Sequence, residues 1–159
     1  MLKINIFCVG NLKEKYLKEA STEYEKRISK YVKISLHEVK EAKIESYANP
    51  LLIKKTLNEE GDKILKLINN KDHVILLDLH GQELTSEELA TKIENISLNN
   101  SVISFVIGGT LGVSESLIRR SNFRLKLSSL TFTHQLTRII LLEQIYRSFK
   151  IINKESYHH

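Results

Sequence analysis

Apolar and polar residues follow two alternating patterns along the chain. Five short runs are nearly continuous in Ile, Val, Leu and Phe, as in VILLDL and VISFVIG. Such runs are typical of strands that are covered on both faces of a sheet. The predicted strands are residues 3–9, 32–39, 73–79, 102–107 and 123–127.

Longer amphipathic segments separate these runs. They predict helices over residues 13–30, 51–68, 86–96, 114–120 and 134–152. The third helix is preceded by a capping box, in which Thr85 caps the first turn and Glu88 reaches back to it. Gly61 interrupts the second helix, so a bend or a break is predicted there.

Strict alternation of strand and helix predicts right-handed crossovers and a mostly parallel sheet with flanking helices. No repeat, low-complexity tract or linker divides the 159 residues. The fold class is therefore α/β, with a single domain over residues 1–159.

The composition limits the choice of cellular compartment and of binding partners only slightly. The single cysteine, Cys8, cannot form an internal disulfide, which suits a reducing cytosol. No apolar run is long enough for a signal peptide or a membrane span, so a cytoplasmic protein is expected. The net charge of +5 permits a polyanionic partner without identifying one. Basic residues cluster in the first helix (Lys13, Lys15, Lys18, Lys26, Arg27 and Lys30) and around the fifth strand (Arg119, Arg120, Arg124 and Lys126).

The stretch FVIGGTLGV, residues 105–113, places Gly108, Gly109 and Gly112 directly after an apolar strand. Because glycine has no Cβ, a ligand can approach the backbone there. The stretch is neither a dinucleotide fingerprint, which follows the first strand, nor a Walker A motif, which needs Gly-Lys-Ser/Thr. Taken alone, it fits a ligand loop and a tight packing turn equally well.

The ends of the last three strands predict a pocket. The third strand ends with Leu77 and Asp78, with Gly81 turning away, and the fifth leads into the hydroxyl-rich LSSLTFTHQ. Ligands of open parallel sheets bind outside the carboxyl ends of the strands. One pocket is therefore predicted, lined by backbone groups and built by strands three to five.

The segments FVIGGTLG and THQLTRIILLEQIYRSFKI, the N-terminal CVGNLKEKY and the terminal Tyr157-His158 resemble the RlmH family. These ribosomal large subunit methyltransferases H are small SPOUT-class enzymes, and the resemblance covers the whole chain. It implies a C-terminal trefoil knot, a homodimer and S-adenosylmethionine as methyl donor, with no metal. It also implies methylation of N3 of a pseudouridine in 23S ribosomal RNA on the assembled ribosome.

The resemblance implies cofactor contacts at matching positions. These are Leu77, Gly108, Gly109, Gly112, Leu127, Ser128, Ser129, Leu130, Thr131 and Phe132. The family usually has proline where this chain has Thr133, and a threonine can cap the following helix instead. A slightly looser cofactor loop is expected.

Catalytic candidates come from the last helix and the tail. His134 and Arg138 share one helical face. In a functional interpretation, Arg138 pairs with a phosphate or a carboxylate and His134 helps to order the loop. A capping histidine with a solvated arginine is the alternative.

The resemblance also implies that Tyr157 and His158 are active and complete the partner protomer's site. His158 is the candidate general base, since histidine titrates near neutral pH, with His134 and Tyr157 as alternatives.

The last helix carries more apolar surface than one core-facing stripe needs, which predicts a subunit interface. A helix buried on all sides within one chain is the alternative.

Two other functions stay open at this point, because only the resemblance supplies the substrate. One is a non-enzymatic nucleotide- or RNA-binding α/β module, and the other is a DNA or protein methyltransferase on the same scaffold.

Overall fold

A computed structural model describes residues 1–159 as a five-stranded parallel sheet with helices on both faces. The strands are β1 (Lys3–Val9), β2 (Lys33–Val39), β3 (His73–Glu83), β4 (Val102–Ile107) and β5 (Phe123–Lys126). The helices are α1 (Lys15–Ile28), α2 (Pro50–Leu65), α3 (Ser86–Ser97), α4 (Glu115–Arg120) and α5 (His134–Ile152). All ten predicted elements are confirmed, with most boundaries within three residues.

The strand order is β2-β1-β4-β3-β5, and every neighbouring pair is parallel. The middle of the sheet is fixed by β1, where Ile6 aligns with Leu36 of β2 on one side and Phe105 of β4 on the other. Since β4 lies between β1 and β3, the glycine-rich loop that follows β4 lies near the middle of one sheet edge.

Alternate residues of the central strands pack into two separate hydrophobic cores, because successive side chains of a strand point to opposite faces of the sheet. Ile4, Ile6 and Phe105 pack in a cluster that includes residues of α1, α3 and α5. Phe7 and Val106 pack in a second cluster with residues of α2 and α4. Burying such a side chain contributes about 1.5–3 kcal/mol, so both faces must stay covered.

Helix α2 continues through Gly61, so the predicted break does not occur at this residue. A Cβ at this position would lie 2.3 Å from Ser114 Oγ. The glycine therefore permits close packing of α2 against the start of α4 instead of interrupting the helix. The capping box of α3 is confirmed, with Thr85 Oγ1 and the Glu88 carboxylate each accepting the other residue's backbone N–H.

Strand β3 extends to Glu83, beyond the predicted end, and Gly81 does not turn away from the sheet. The pairing with β5 shifts between Leu77 and Gln82, so the intervening residues bulge. A Cβ at Gly81 would lie 2.5 Å from the Arg124 carbonyl oxygen, which shows how closely the two backbones pass.

Helix α5 contributes one face to the chain's own core. Leu141, Leu142 and Ile145 are fully buried in the cluster that also holds residues of α1 and α3. Leu136, in the first turn, is 41% exposed. Neither α5 nor any other helix has the length and apolar character that crossing a membrane requires.

Candidate active site

A cavity of about 920 Å³ opens between the ends of β3, β4 and β5 and the beginnings of α1 and α5. Its volume falls within the range of small-molecule sites. Nine of the ten predicted cofactor positions line it, namely Leu77, Gly108, Gly109, Gly112, Leu127, Ser128, Leu130, Thr131 and Phe132. Ser129 does not line it and donates its hydroxyl to Glu83 Oε1 at 2.9 Å. The structure thus brings these nine positions together, and their contact with a cofactor stays a prediction.

Part of the cavity wall comes from the beginning of the chain, which the sequence argument missed. Glu14, Tyr16 and Leu17 line the cavity beside residues of the C-terminal half. They reach it because β1 neighbours β4 in the sheet. The available signal was Gly10, directly after the first strand, which adopts a φ of 85° and turns the chain into α1.

The glycine-rich loop closes on itself. A Cβ at Gly108 would lie 2.3 Å from the Gly112 carbonyl oxygen and 2.8 Å from Val113 Cγ1. Gly112 has a φ of 100°, and its N–H donates to the Gly109 carbonyl at 3.1 Å. Approach of a ligand to the Gly108 backbone stays a prediction, but the space of the missing Cβ is not where that ligand would lie. That space is filled by the loop, and the loop's shape in turn forms the cavity wall.

The loop between β5 and α5 keeps most of its peptide groups available. Of residues 128–132, only Leu130 donates its backbone N–H within the chain, to Ser128 Oγ at 3.0 Å. Free amides and carbonyls beside apolar side chains such as Phe132 suit a nucleoside-like ligand. The predicted cap is confirmed, because Thr133 Oγ1 accepts the Leu136 N–H at 3.2 Å and so fixes the loop to α5.

Arg138 is an internal clamp. Its side chain is only 3% exposed and donates to Glu38 Oε2 at 2.6 Å and to the Gly10 carbonyl at 3.2 Å. Its Nε is buried without a partner. The solvated alternative is therefore wrong, and the guanidinium's carboxylate partner belongs to this chain. The clamp joins α5 to the ends of β1 and β2, while His134 on the same helix face lines the cavity.

This clamp leads to a stability prediction. Glu38→Gln leaves the buried Arg138 guanidinium without an opposite charge and should lower the free energy of unfolding by about 2 kcal/mol, or Tm by roughly 5 °C. Adding Arg138→Met removes the uncompensated charge, so the double variant should regain part of that loss. Thermal unfolding monitored by circular dichroism measures both, with the exposed Glu45→Gln as the control. A double variant less stable than Glu38→Gln alone would contradict this account.

The tail folds back on α5. The Tyr157 ring packs edge-on against Tyr146, at 4.9 Å between centroids, and its hydroxyl donates to Glu143 Oε1 at 3.1 Å. The Arg147 guanidinium lies 4.8 Å from the Tyr157 ring centroid. Burial and the Glu143 carboxylate raise the pKa of Tyr157 to about 12. The phenol therefore stays protonated near neutral pH and acts as a donor.

Both ring nitrogens of His158 are engaged. Nδ1 lies 3.0 Å from Arg147 Nη1, and Nε2 lies 2.5 Å from Glu87 Oε1. Because a guanidinium only donates, Nδ1 is the acceptor and Nε2 carries the proton toward the carboxylate. The same hydrogen bond lowers the pKa of Glu87.

Within one chain, the tail is remote from the cavity. Glu143 and Arg147 follow His134 by nine and thirteen residues on α5, which corresponds to about 14–20 Å along the helix axis. The structure thus places His134 at the cavity wall, while Arg138, Tyr157 and His158 do not line it.

Most side chains of the basic cluster around β5 form hydrogen bonds or ion pairs within the chain. Arg120 donates to the carbonyls of Asn69 and Asp72, and Arg124 pairs with the buried Asp78 carboxylate at 2.7 Å. Lys126 lies 3.4 Å from Glu83, and Arg119 lies 3.7 Å from Glu115. Arg120 and Arg124 are therefore held by partners within the chain, and contact of this cluster with RNA phosphates stays a prediction. In α1, by contrast, Lys18 and Lys26 form no ion pair and are exposed.

A family model described as "Predicted SPOUT methyltransferase" matches residues 2–158. The chain belongs to this SPOUT methyltransferase family. Ribosomal RNA large subunit methyltransferase H of Ruminiclostridium cellulolyticum is 46% identical over 158 residues, which cover 99% of each protein. Proteins of that name from Clostridium botulinum and Desulforamulus reducens are 48% and 45% identical over 99% of both chains.

Membership of the SPOUT methyltransferase family confirms the resemblance drawn from the FVIGGTLG and THQLTRIILLEQIYRSFKI segments. It also agrees with the α/β architecture and its parallel sheet. No three His, Cys, Asp or Glu side chains in the chain group closely enough to hold a metal ion.

Proposed function

We propose that this SPOUT protein methylates large-subunit ribosomal RNA, with S-adenosylmethionine as methyl donor and N3 of a pseudouridine as acceptor. The observation that carries the proposal is the full-length identity of 45–48% to proteins named ribosomal RNA large subunit methyltransferase H. The cavity supports it, because the positions matched to the family's cofactor contacts meet there. The cytoplasm, where ribosomes are found, is the proposed location.

The cavity's residues fit the methyl donor. S-adenosylmethionine, when bound, supplies a methyl group made electrophilic by its sulfonium. The unpaired peptide groups of residues 128–132 would hold its polar edges, and Leu77, Leu127 and Phe132 would cover its apolar faces. The implied trefoil knot belongs to this proposal and is assigned to the C-terminal segment that holds this loop and α5. Calorimetry with S-adenosylmethionine, ATP and flavin tests the fit, since binding of ATP alone would favour a non-catalytic nucleotide module.

The acceptor nitrogen carries a proton that must leave, so a base or a water path is required. The proposed base is His158, because the hydroxyl of Tyr157 stays protonated. Its unprotonated Nδ1 is directed at Arg147, which lies about 20 Å along α5 from His134 at the cavity wall. This separation supports a homodimer in which the tail of one protomer serves the cavity of its partner. His134, at the cavity wall of its own chain, is the alternative base.

Mass spectrometry of 23S ribosomal RNA tests the function directly. Cells that lack the gene should lose the methyl group from one pseudouridine, and a plasmid copy of the gene should restore it. Purified protein should methylate ribosomes from the deletion strain when S-adenosylmethionine is added. If every methylated pseudouridine persists in the deletion strain, the proposed function is refuted.

A further inference from the structure

Tyr16 is a large aromatic residue held at the cavity rim without cover. Its side chain is 67% exposed, yet it lines the same cavity as the glycine-rich loop. Its backbone is fixed from both sides, because Leu17 is buried in the next position and the Lys13 N–H donates to Gln135 Oε1 at 3.3 Å. The backbone that carries the ring is therefore held beside the cavity.

Three lysines lie close to Tyr16 in the sequence. Lys13 precedes α1, Lys15 and Lys18 lie at its beginning, and all three are exposed. Of these lysines, only Lys15 has an acidic partner, Glu19, at 3.8 Å. Both side chains are exposed, and such surface ion pairs contribute little to stability. Glu14 and Glu19 lie in the same segment, so three lysines against two glutamates leave residues 13–19 with a net positive charge. Arg120 and Arg124 near β5 face internal partners, whereas Lys13 and Lys18 on this rim form no ion pair.

We infer that Tyr16 is a stacking platform for an unpaired RNA base at the cavity mouth, with Lys13, Lys15 and Lys18 contacting the adjoining phosphates. An exposed aromatic ring among lysines is the combination that binds single-stranded RNA, because every base has a stacking face. The methyl donor suits this rim less well, since its sulfonium is itself a cation. The inference rests on the proposed function and names the part of the chain that positions the RNA.

The absence of tryptophan from the chain provides a direct test. Tyr16→Trp introduces a single fluorescent indole, which a stacked base should quench. A short single-stranded RNA should quench it with the same Kd that fluorescence anisotropy reports, in the absence of S-adenosylmethionine. Inorganic polyphosphate should not quench it. Tyr47→Trp is the matched control, because Tyr47 is 65% exposed and does not line the cavity. Equal quenching at both positions, or quenching by polyphosphate, would overturn the inference.

Substitutions separate RNA positioning from cofactor binding. Tyr16→Ala should raise KM for ribosomes about tenfold, within the range that loss of one stacked base gives, while kcat and the Kd for S-adenosylmethionine stay within about twofold. Tyr16→Phe should restore KM, since it keeps the ring. Weaker binding of S-adenosylmethionine to Tyr16→Ala would assign the ring to the cofactor and overturn the inference.

The lysines are tested by salt dependence. Lys13→Gln with Lys18→Gln should make ribosome binding less steeply dependent on salt, by a slope change of about 1.4 for two lost phosphate contacts. Lys26→Gln with Lys30→Gln, at the other end of α1, should leave the slope unchanged. Equal slopes in the two double variants would exclude this rim as the RNA surface. Wild-type protein that methylates no ribosomal RNA refutes the proposed function, whereas wild-type activity in Tyr16→Ala refutes only this inference.

Discussion

A chain that ends after Ser156 should lose methyl transfer by at least about 100-fold, the lower limit for removal of a general base. The deleted residues lie outside every helix and strand and do not line the cavity. Affinity for S-adenosylmethionine should therefore persist. Loss of the Tyr157 contact with Tyr146 should lower Tm by only a few degrees. Single-turnover methylation of ribosomes and calorimetry measure the two effects separately.

The matched control for this truncation is a chain that ends after His158, which lacks only His159 and should keep full activity. Mixing the Ser156 truncation with a full-length chain that carries Gly108→Val tests action across the dimer. In heterodimers, the intact tail of one chain can reach the intact cavity of the other, and activity should return. Heterodimers that stay inactive, once confirmed by native mass spectrometry, would refute a tail that acts on the partner. Full activity of the truncation alone would refute any catalytic role for Tyr157 and His158.

Gly108→Val should abolish measurable binding of S-adenosylmethionine. The new Cβ would start 2.3 Å from the Gly112 carbonyl oxygen, and backbone atoms cannot yield as a flexible side chain can. The loop must therefore open, which displaces the cavity wall formed by Gly109 and Gly112. The affinity should fall by at least about 100-fold, equivalent to the roughly 3 kcal/mol that such backbone strain costs. Calorimetry measures the affinity, and circular dichroism should report a folded protein because the loop lies outside the sheet.

Gly112→Ala is the graded control for this loop. No atom lies within 4 Å of the Cβ position there, so the substitution costs only the strain of a φ of 100°. A loss of affinity of about tenfold or less is expected, corresponding to roughly 1 kcal/mol. Unchanged affinity in Gly108→Val would show that the loop's shape does not matter to the ligand. Equal losses in both variants would show that steric conflict at Gly108 is not the cause.

The fold was predictable because its signals are local. Apolar runs fixed the strands, Thr85 with Glu88 marked the start of α3, and Thr133 marked the start of α5. The failures concern groups far apart in the chain. The bulge that carries β3 past Gly81 depends on pairing with β5, and the close approach of Gly61 to Ser114 depends on the packing of α2 against α4.

The candidate site was likewise predictable where its residues follow one another in the chain, and not where they depend on distant partners. The glycine-rich loop and residues 127–132 follow their strands directly, so a rule about the ends of parallel strands was enough to group them. Tyr16 was missed because its place at the cavity follows from β1 pairing with β4, which no local pattern reveals. The burial of Arg138 depends on Glu38, a partner one hundred residues away. The tail's distance from its own cavity likewise became visible only with α5 in place.

The position of β4 between β1 and β3 has a consequence for the nascent chain. Strands β1 and β2 can pair as soon as both have left the ribosome, but the other edge of β1 is filled only when β4 follows, from Val102 onward. At translation rates of about 5–20 residues per second, that edge stays open for several seconds. Pairing over such sequence separations is slow, so the sheet cannot close around Ile4 and Ile6 until about two-thirds of the chain has been made. We therefore expect the nascent chain to be a substrate for chaperones that shield unpaired strands.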